Sequence, residues 1–242
     1  MKRSLLIPVA AAALALAGCQ LFNPVRGSGS LVTIPFDVGT FTRIEASRAC
    51  SLHVVTDVVA SLEVTCDDNI IEYLVVERTG TDPVSIGLKP SFWYCGVTFT
   101  VEARMPSLAG LELSGASGAD VEPGFSSTLP LQVTLSGAST ADFASIACGA
   151  LRADISGASV LTLSGTADSE RLNISGASEA HLLDCDAPWA DVRVSGASQG
   201  WLDVGSGALD LEASGASTLY YRNSPSWGTF ELSGGSRIVR LD

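Results

Sequence analysis

Positive charge is scarce in this chain, and so are the groups that build reactive sites. Its 242 residues carry 14 Lys and Arg against 26 Asp and Glu. Phosphate backbones are gripped by concentrated Lys and Arg, so the balance argues against nucleic acid as a partner. The only two histidines, His53 and His181, are isolated, and no Cys-x-x-Cys pair occurs. A zinc site needs clustered ligands, and none is offered. The glycine-rich phosphate loop, the G-x-S-x-G nucleophile elbow and the calcium-binding G-G-x-G-x-D nonapeptide are all missing. Nothing calls for a cofactor. Few segments show a 3.6-residue apolar period, which speaks against helix as the main element.

What is present is a phrase that returns. Ser114-Gly115-Ala116-Ser117 recurs from Ser136, Ser156, Ser175, Ser195 and Ser214, and closes as Ser233-Gly234-Gly235-Ser236. The spacings are 22, 20, 19, 20, 19 and 19 residues. A period near twenty over seven copies marks a solenoid, in which each repeat packs only on its neighbours. Before each phrase two apolar positions flank a polar one, as in Leu111-Glu112-Leu113 and Leu172-Asn173-Ile174. After it the alternation resumes, as in Leu161/Leu163 and Leu219/Tyr221, and it fails only at Ile238/Arg240. Alternation with period two is a strand with one buried face.

Each repeat therefore reads as strand, tight corner, strand and variable return. Stacked at about 4.8 Å, such coils form a single-stranded parallel β-helix, an all-β fold with coils of about 20 residues. Right-handed winding is the default for parallel crossovers. The Gly suits a corner needing φ > 0 or close backbone approach. The Ala is expected to point into a cramped interior. Ala177, between Ala158 and Ala197 of the neighbouring coils, would then reject Leu, while Ser178 would tolerate change.

The chain opens with Met1-Lys2-Arg3, an apolar run from Leu5 to Ala17, and Leu16-Ala17-Gly18-Cys19. A basic head, a short apolar stretch and small residues describe a secretory signal peptide over residues 1–18. The Leu-Ala-Gly-Cys end resembles the bacterial lipoprotein signal. That resemblance implies lipidation of Cys19, and Gln20 after it implies sorting to the outer membrane. Without Lys2 and Arg3, 12 basic residues face 26 acidic ones, a net charge of −14. Residues 19–30, with Asn23-Pro24 and Gly27-Ser28-Gly29-Ser30, read as lipidated Cys and flexible tether.

Residues 31–106 lack the phrase and read as N-terminal coils and cap, since terminal repeats are atypical. Strands are expected at Leu31–Phe36, Phe41–Ala46, Ser51–Thr56, Leu62–Cys66, Val84–Leu88 and Val97–Ala103. Asp67–Val76 is ambiguous between helix and strand. Residues 107–242 are the repeat β-helix proper. Phe41-Thr42-Arg43-Ile44-Glu45-Ala46, Leu52-His53-Val54-Val55, Asp68-Asn69-Ile70-Ile71 and Met105-Pro106-Ser107-Leu108, running into the Ser-Gly-Ala-Ser ladder, resemble the auto-transporter adhesin head GIN domain family. The resemblance spans roughly residues 31–242. It implies a β-helical envelope protein of bacteria and brings no catalytic residues with it.

Past Cys19, five cysteines remain: Cys50, Cys66, Cys95, Cys148 and Cys185. A hairpin of Ser51–Thr56 with Leu62–Cys66 would set Cys50 opposite Cys66 as a disulfide, with Cys95 as competitor for either partner. Cys148 and Cys185 lie about two coils apart, near 9.6 Å, too far for a bridge. Asp120 and Asp142 hold equivalent outward positions on adjacent coils. Their spacing of about 5 Å matches paired carboxylates of retaining glycosidases. The same column continues through Thr162, His181, Trp201, Tyr220 and Val239. His181, Trp201 and Tyr220 are either an exposed ligand stripe or a patch covered by the returns or by Pro225-Ser226-Trp227.

These features describe an exported, lipid-anchored, non-catalytic β-solenoid. It would meet the membrane through its anchor and present a rigid acidic surface to a glycan or envelope protein. The alternatives are a polysaccharide-acting enzyme using Asp120 and Asp142, or a purely structural accessory lipoprotein. Oligomeric state is not legible in the residues.

Overall fold

The computed structural model describes residues 24–78 and 80–241. Residues 1–18, where a signal peptide is expected, and Cys19 lie outside them. The chain winds as a parallel β-solenoid of about seven turns. The phrase is the corner between two walls. The first wall, before it, stacks Gly110–Leu113, Leu131–Leu135, 151–155, 170–174, Trp189–Val194, Ala208–Ala213 and Ser226–Leu232, all parallel. The second wall, after it, stacks Gly118–Val121, 140–143, 160–163, 179–182, Gln199–Asp203, Thr218–Arg222 and Arg237–Arg240. A shorter, irregular return wall completes the coil, with 146–150 on 165–169 and 164–166 on 184–186.

The pairing is in register, so like positions form columns. Leu113, Leu135, Ile155, Ile174, Val194 and Ala213 make one inward column. Val121, Phe143, Leu163, Leu182 and Leu202 make another, each 1% exposed or less. Burying one such aliphatic or aromatic side chain contributes about 1.5–3 kcal/mol, and the columns repeat this coil after coil.

The corner differs from the sequence expectation in one respect. Its Gly residues do take positive φ, 76° at Gly115 and 79° at Gly176. From Ala138 to Ala216 each Ala N–H donates to the Gly carbonyl of the preceding coil, 2.8 Å for Ala177 to Gly157. That contact leaves no room for a Cβ, which at Gly176 would stand 2.5 Å from the same carbonyl oxygen. The Ala, however, points outward. Ala177 is exposed, whereas Ser178 is fully buried. The left-handed Gly swings the next residue to solvent and brings the last Ser inside. The buried hydroxyl is satisfied locally: Ser159 Oγ donates to Ser156 O at 2.9 Å and accepts from Ser139 N of the coil before at 3.3 Å.

The N-terminal part hides another corner. Arg43–Ala46 and Ser51–Thr56 stack directly on Gly110–Leu113 and Gly118–Val121. Ser47-Arg48-Ala49-Cys50 therefore occupies the place of the phrase, with Arg48 at φ 65° where Gly stands elsewhere. Cys50 replaces the last Ser, and its N–H donates to Ser117 Oγ. Among the described residues the strands stacked beyond it, Val84–Leu88 and Phe99–Met105, are not joined by a corner of this kind.

Chain order and stacking order diverge here. Val84–Leu88 and Phe99–Met105 stack outside Arg43–Ala46 and Ser51–Thr56. Ser61–Asp67 then lies antiparallel on Phe99–Met105, Leu31–Phe36 on Ser61–Asp67, and Leu74–Arg78 on Val84–Leu88. The ambiguous stretch holds both elements, a 3-10 helix at Asp68–Tyr73 and the strand Leu74–Arg78. Buried Asp67 fastens the incoming segment by accepting Thr98 N and Gly29 N at 2.7 Å each. Those bonds hold its carboxyl below the usual range.

The expected hairpin does not form, and with it goes the Cys50–Cys66 bridge. Phe99–Met105 runs between the two strands. Two strand spacings, about 9.6 Å, exceed the reach of a disulfide. Cys50 and Cys66 are buried and free, and Cys95, Cys148 and Cys185 are free as well.

Candidate functional site

The outward face of the second wall carries one continuous column. Its register runs Glu102, His53, Asp120, Asp142, Thr162, His181, Trp201, Tyr220 and Val239. The alternation of each strand fixes these side chains outward, because their neighbours on both sides are the inward columns.

The carboxylate end of the column is solvated. Asp120 and Asp142 stand on adjacent strands, both exposed. His53 pairs instead with Glu122, Nε2 to Oε1 at 3.0 Å. The larger clefts lie elsewhere. One of about 320 Å3 is lined by Ser47, Arg48, Ser85 and Gly87. Another, of about 390 Å3, lies along Arg193, Glu212 and Glu231 of the first wall. A glycosidase needs its two carboxyl groups held apart in pKa within a shaped, water-poor site. Asp120 and Asp142 are neighbours in register on adjacent strands, exposed and without that enclosure. Among the described residues no group of three or more His, Cys, Asp and Glu is placed to hold a metal ion.

The aromatic end is ordered. His181 stacks on Trp201 with centroids 4.2 Å apart and planes 16° from parallel. Trp201 stacks on Tyr220 at 5.0 Å and 8°. All three are half-buried. Trp227 does not cover them; it packs edge-on against Tyr221 and Phe230. In a parallel ladder the ring faces are turned toward one another along the stack. What the stripe offers outward is ring edges with their polar tips. His181 Nε2 is anchored at 3.2 Å from Glu179.

One residue escaped the sequence reading. Glu170 faces inward in the column Leu131, Leu151, Glu170, Ala190, Leu209 and has no exposed surface. Neither carboxyl oxygen has a hydrogen bond of good geometry. Burial pushes this carboxyl up to about 8, helped by Asp186 and Asp203 and opposed by the nearby Cys185 thiol, so it is neutral at pH 7. The signal was a lone Glu two residues before Leu172, where the neighbouring coils place Leu151 and Ala190. Cys50 and Cys148 are chemically quiet for the same reason. Burial raises the Cys50 thiol to about 12, and burial with Glu170 and Asp168 raises Cys148 to about 11. Thiolate, the reactive form, is suppressed at both.

Known structures share the fold. A putative adhesin from Bacteroides fragilis NCTC 9343 superposes with a TM-score of 0.81 at 18% identity, covering 90% of this chain and 100% of that one. A putative adhesin from Parabacteroides distasonis ATCC 8503 gives 0.74 at 17%, covering 90% and 100%. A putative lipid binding protein from the same strain gives 0.71 at 18%, covering 91% and 100%. No curated protein matches the chain. The model of the family described as putative auto-transporter adhesin, head GIN domain, matches residues 40–225, and the chain belongs to that family.

Proposed function

We propose that the chain is a non-catalytic, adhesin-like binding module, held on the bacterial envelope through a lipidated Cys19 and touching its target with the second wall. The observation that carries this reading is the His181–Trp201–Tyr220 stack, a half-exposed run of three rings on the outward face of the second wall. Family membership supports a surface module, and the open placement of Asp120 and Asp142 supports the absence of catalysis. Edge-on rings favour a partner that meets indole N–H, phenol O–H and imidazole groups along a line, such as an extended glycan or a protein surface. Flat stacking of a sugar on one ring is left to the outer faces of the stack.

Immobilised bacterial and host glycans, together with purified envelope proteins, test the reading. It expects saturable binding to one of them by the chain, reduced at least about tenfold by Trp201→Ala. Binding unaffected by Trp201→Ala would overturn the assignment of the face.

A further inference from the structure

The two ends of the rod are finished differently. At the N-terminal end antiparallel strands cover the last parallel ones: Leu74–Arg78 is outermost over the first wall, and over the second the outermost, Leu31–Phe36, contains Pro35. Proline in an edge strand removes a donor and blunts further pairing. At the other end, Ser226–Leu232 and Arg237–Arg240 pair on one side only among the described residues. Trp227, Phe230 and Leu232 are 40%, 47% and 40% exposed, while Leu209, Leu211 and Ala213, one coil earlier in the same columns, are 0%, 0% and 3%. Val239 is exposed as well. Aromatic and Arg side chains around open backbone are the composition of a protein-binding hot spot.

Charge narrows the occupant. In a chain of net charge −12, the second-wall edge reads Arg237-Ile238-Val239-Arg240, with two cations and no acid. A second copy fits poorly. Two-fold antiparallel pairing of this edge, centred on Ile238 or on Val239, sets Arg237 or Arg240 diagonal to the same residue of the other copy on one face, with no acid between them. Head-to-tail stacking of this second-wall edge meets the strand containing Pro35. We propose that this end docks an extended, acidic segment of another protein. It adds as an antiparallel strand along Arg237–Arg240, as Ser61–Asp67 does at the other end. The complement of cation, apolar, apolar, cation is acid, apolar, apolar, acid.

Three labelled peptides test this against the full chain by fluorescence anisotropy: Thr-Glu-Val-Val-Glu-Thr, the same with Lys for Glu, and the permuted Thr-Val-Glu-Glu-Val-Thr. The first is expected to bind at least about tenfold more tightly than the other two, and to weaken as salt rises. Arg237→Glu should reverse the order of the Glu and Lys peptides, while Arg152→Glu, elsewhere on the rod, should leave it unchanged. Equal binding of all three, no binding of any, or a dimer in sedimentation that the first peptide does not dissociate would each overturn the proposal. The comparison on the unmodified chain decides the matter even if Arg237→Glu fails to fold.

Discussion

At the residue scale the corner is governed by three different constraints. Gly176 is held at positive φ and in contact with the Gly157 carbonyl, so Gly176→Ala meets backbone strain and overlap together. A loss of about 2–4 kcal/mol is expected, read as a lower melting temperature. Ser159→Ala removes a buried hydroxyl and strands Ser156 O and Ser139 N, for about 1–3 kcal/mol. Ala158 is exposed, and Ala158→Leu should stay within about 0.5 kcal/mol of the parent. If Ala158→Leu lowers the melting temperature more than Ser159→Ala, the corner has been placed inside out. Glu170 adds a pH effect. Its carboxyl titrates near 8 in the fold against 4.5 in the free side chain. The folded state thus holds a proton that the unfolded state has released. The resulting stability is complete below pH 4.5 and is lost as pH rises to 8, by at most about 5 kcal/mol. Melting temperatures at pH 5, 6.5 and 8 should fall for the parent and stay flatter for Glu170→Leu; parallel profiles would refute a neutral buried Glu170.

At the element scale, stability comes from strand stacked on strand, and outward ladders add to it. Trp201 shares a face with each neighbouring ring. Each such contact is worth about 0.5–1.5 kcal/mol beyond area, so Trp201→Ala should lower stability by about 1–3 kcal/mol without loss of β structure by circular dichroism. A spectrum that loses its β signal would mean the stack nucleates the wall rather than decorating it. This is also the scale at which the sequence speaks best. The two walls follow from alternation either side of the phrase, and the columns follow from its period. The aromatic ladder was legible because Trp201 and Tyr220 sit 19 residues apart at one position of the repeat. The N-terminal cap was less so. Strands 51–56 and 61–67 are neighbours in sequence, and only long-range pairing with 99–105 separates them. Ser47-Arg48-Ala49-Cys50 was hidden because stacking, not residue identity, defines a corner. The direction of Ala177 was misread because a left-handed Gly inverts the alternation beyond it.

At the scale of the whole molecule, the described residues form a rod with an aromatic stripe on one wall and a cationic last strand, Arg237–Arg240, on the same wall. No helix among the described residues is long and apolar enough to cross a membrane. The proposed attachment through Cys19 predicts that Cys19→Ser abolishes fatty-acid labelling and releases the chain from membranes; persistent labelling would refute the lipoprotein signal. The central claim is that the rod holds its target without altering it. The most direct measurement is retention of a bound polysaccharide on immobilised chain, with polymer length followed in the same sample. The account predicts retention at constant length, lost with Trp201→Ala and kept in the double variant Asp120→Asn, Asp142→Asn. Shortening of the polymer that stops in the double variant would contradict it.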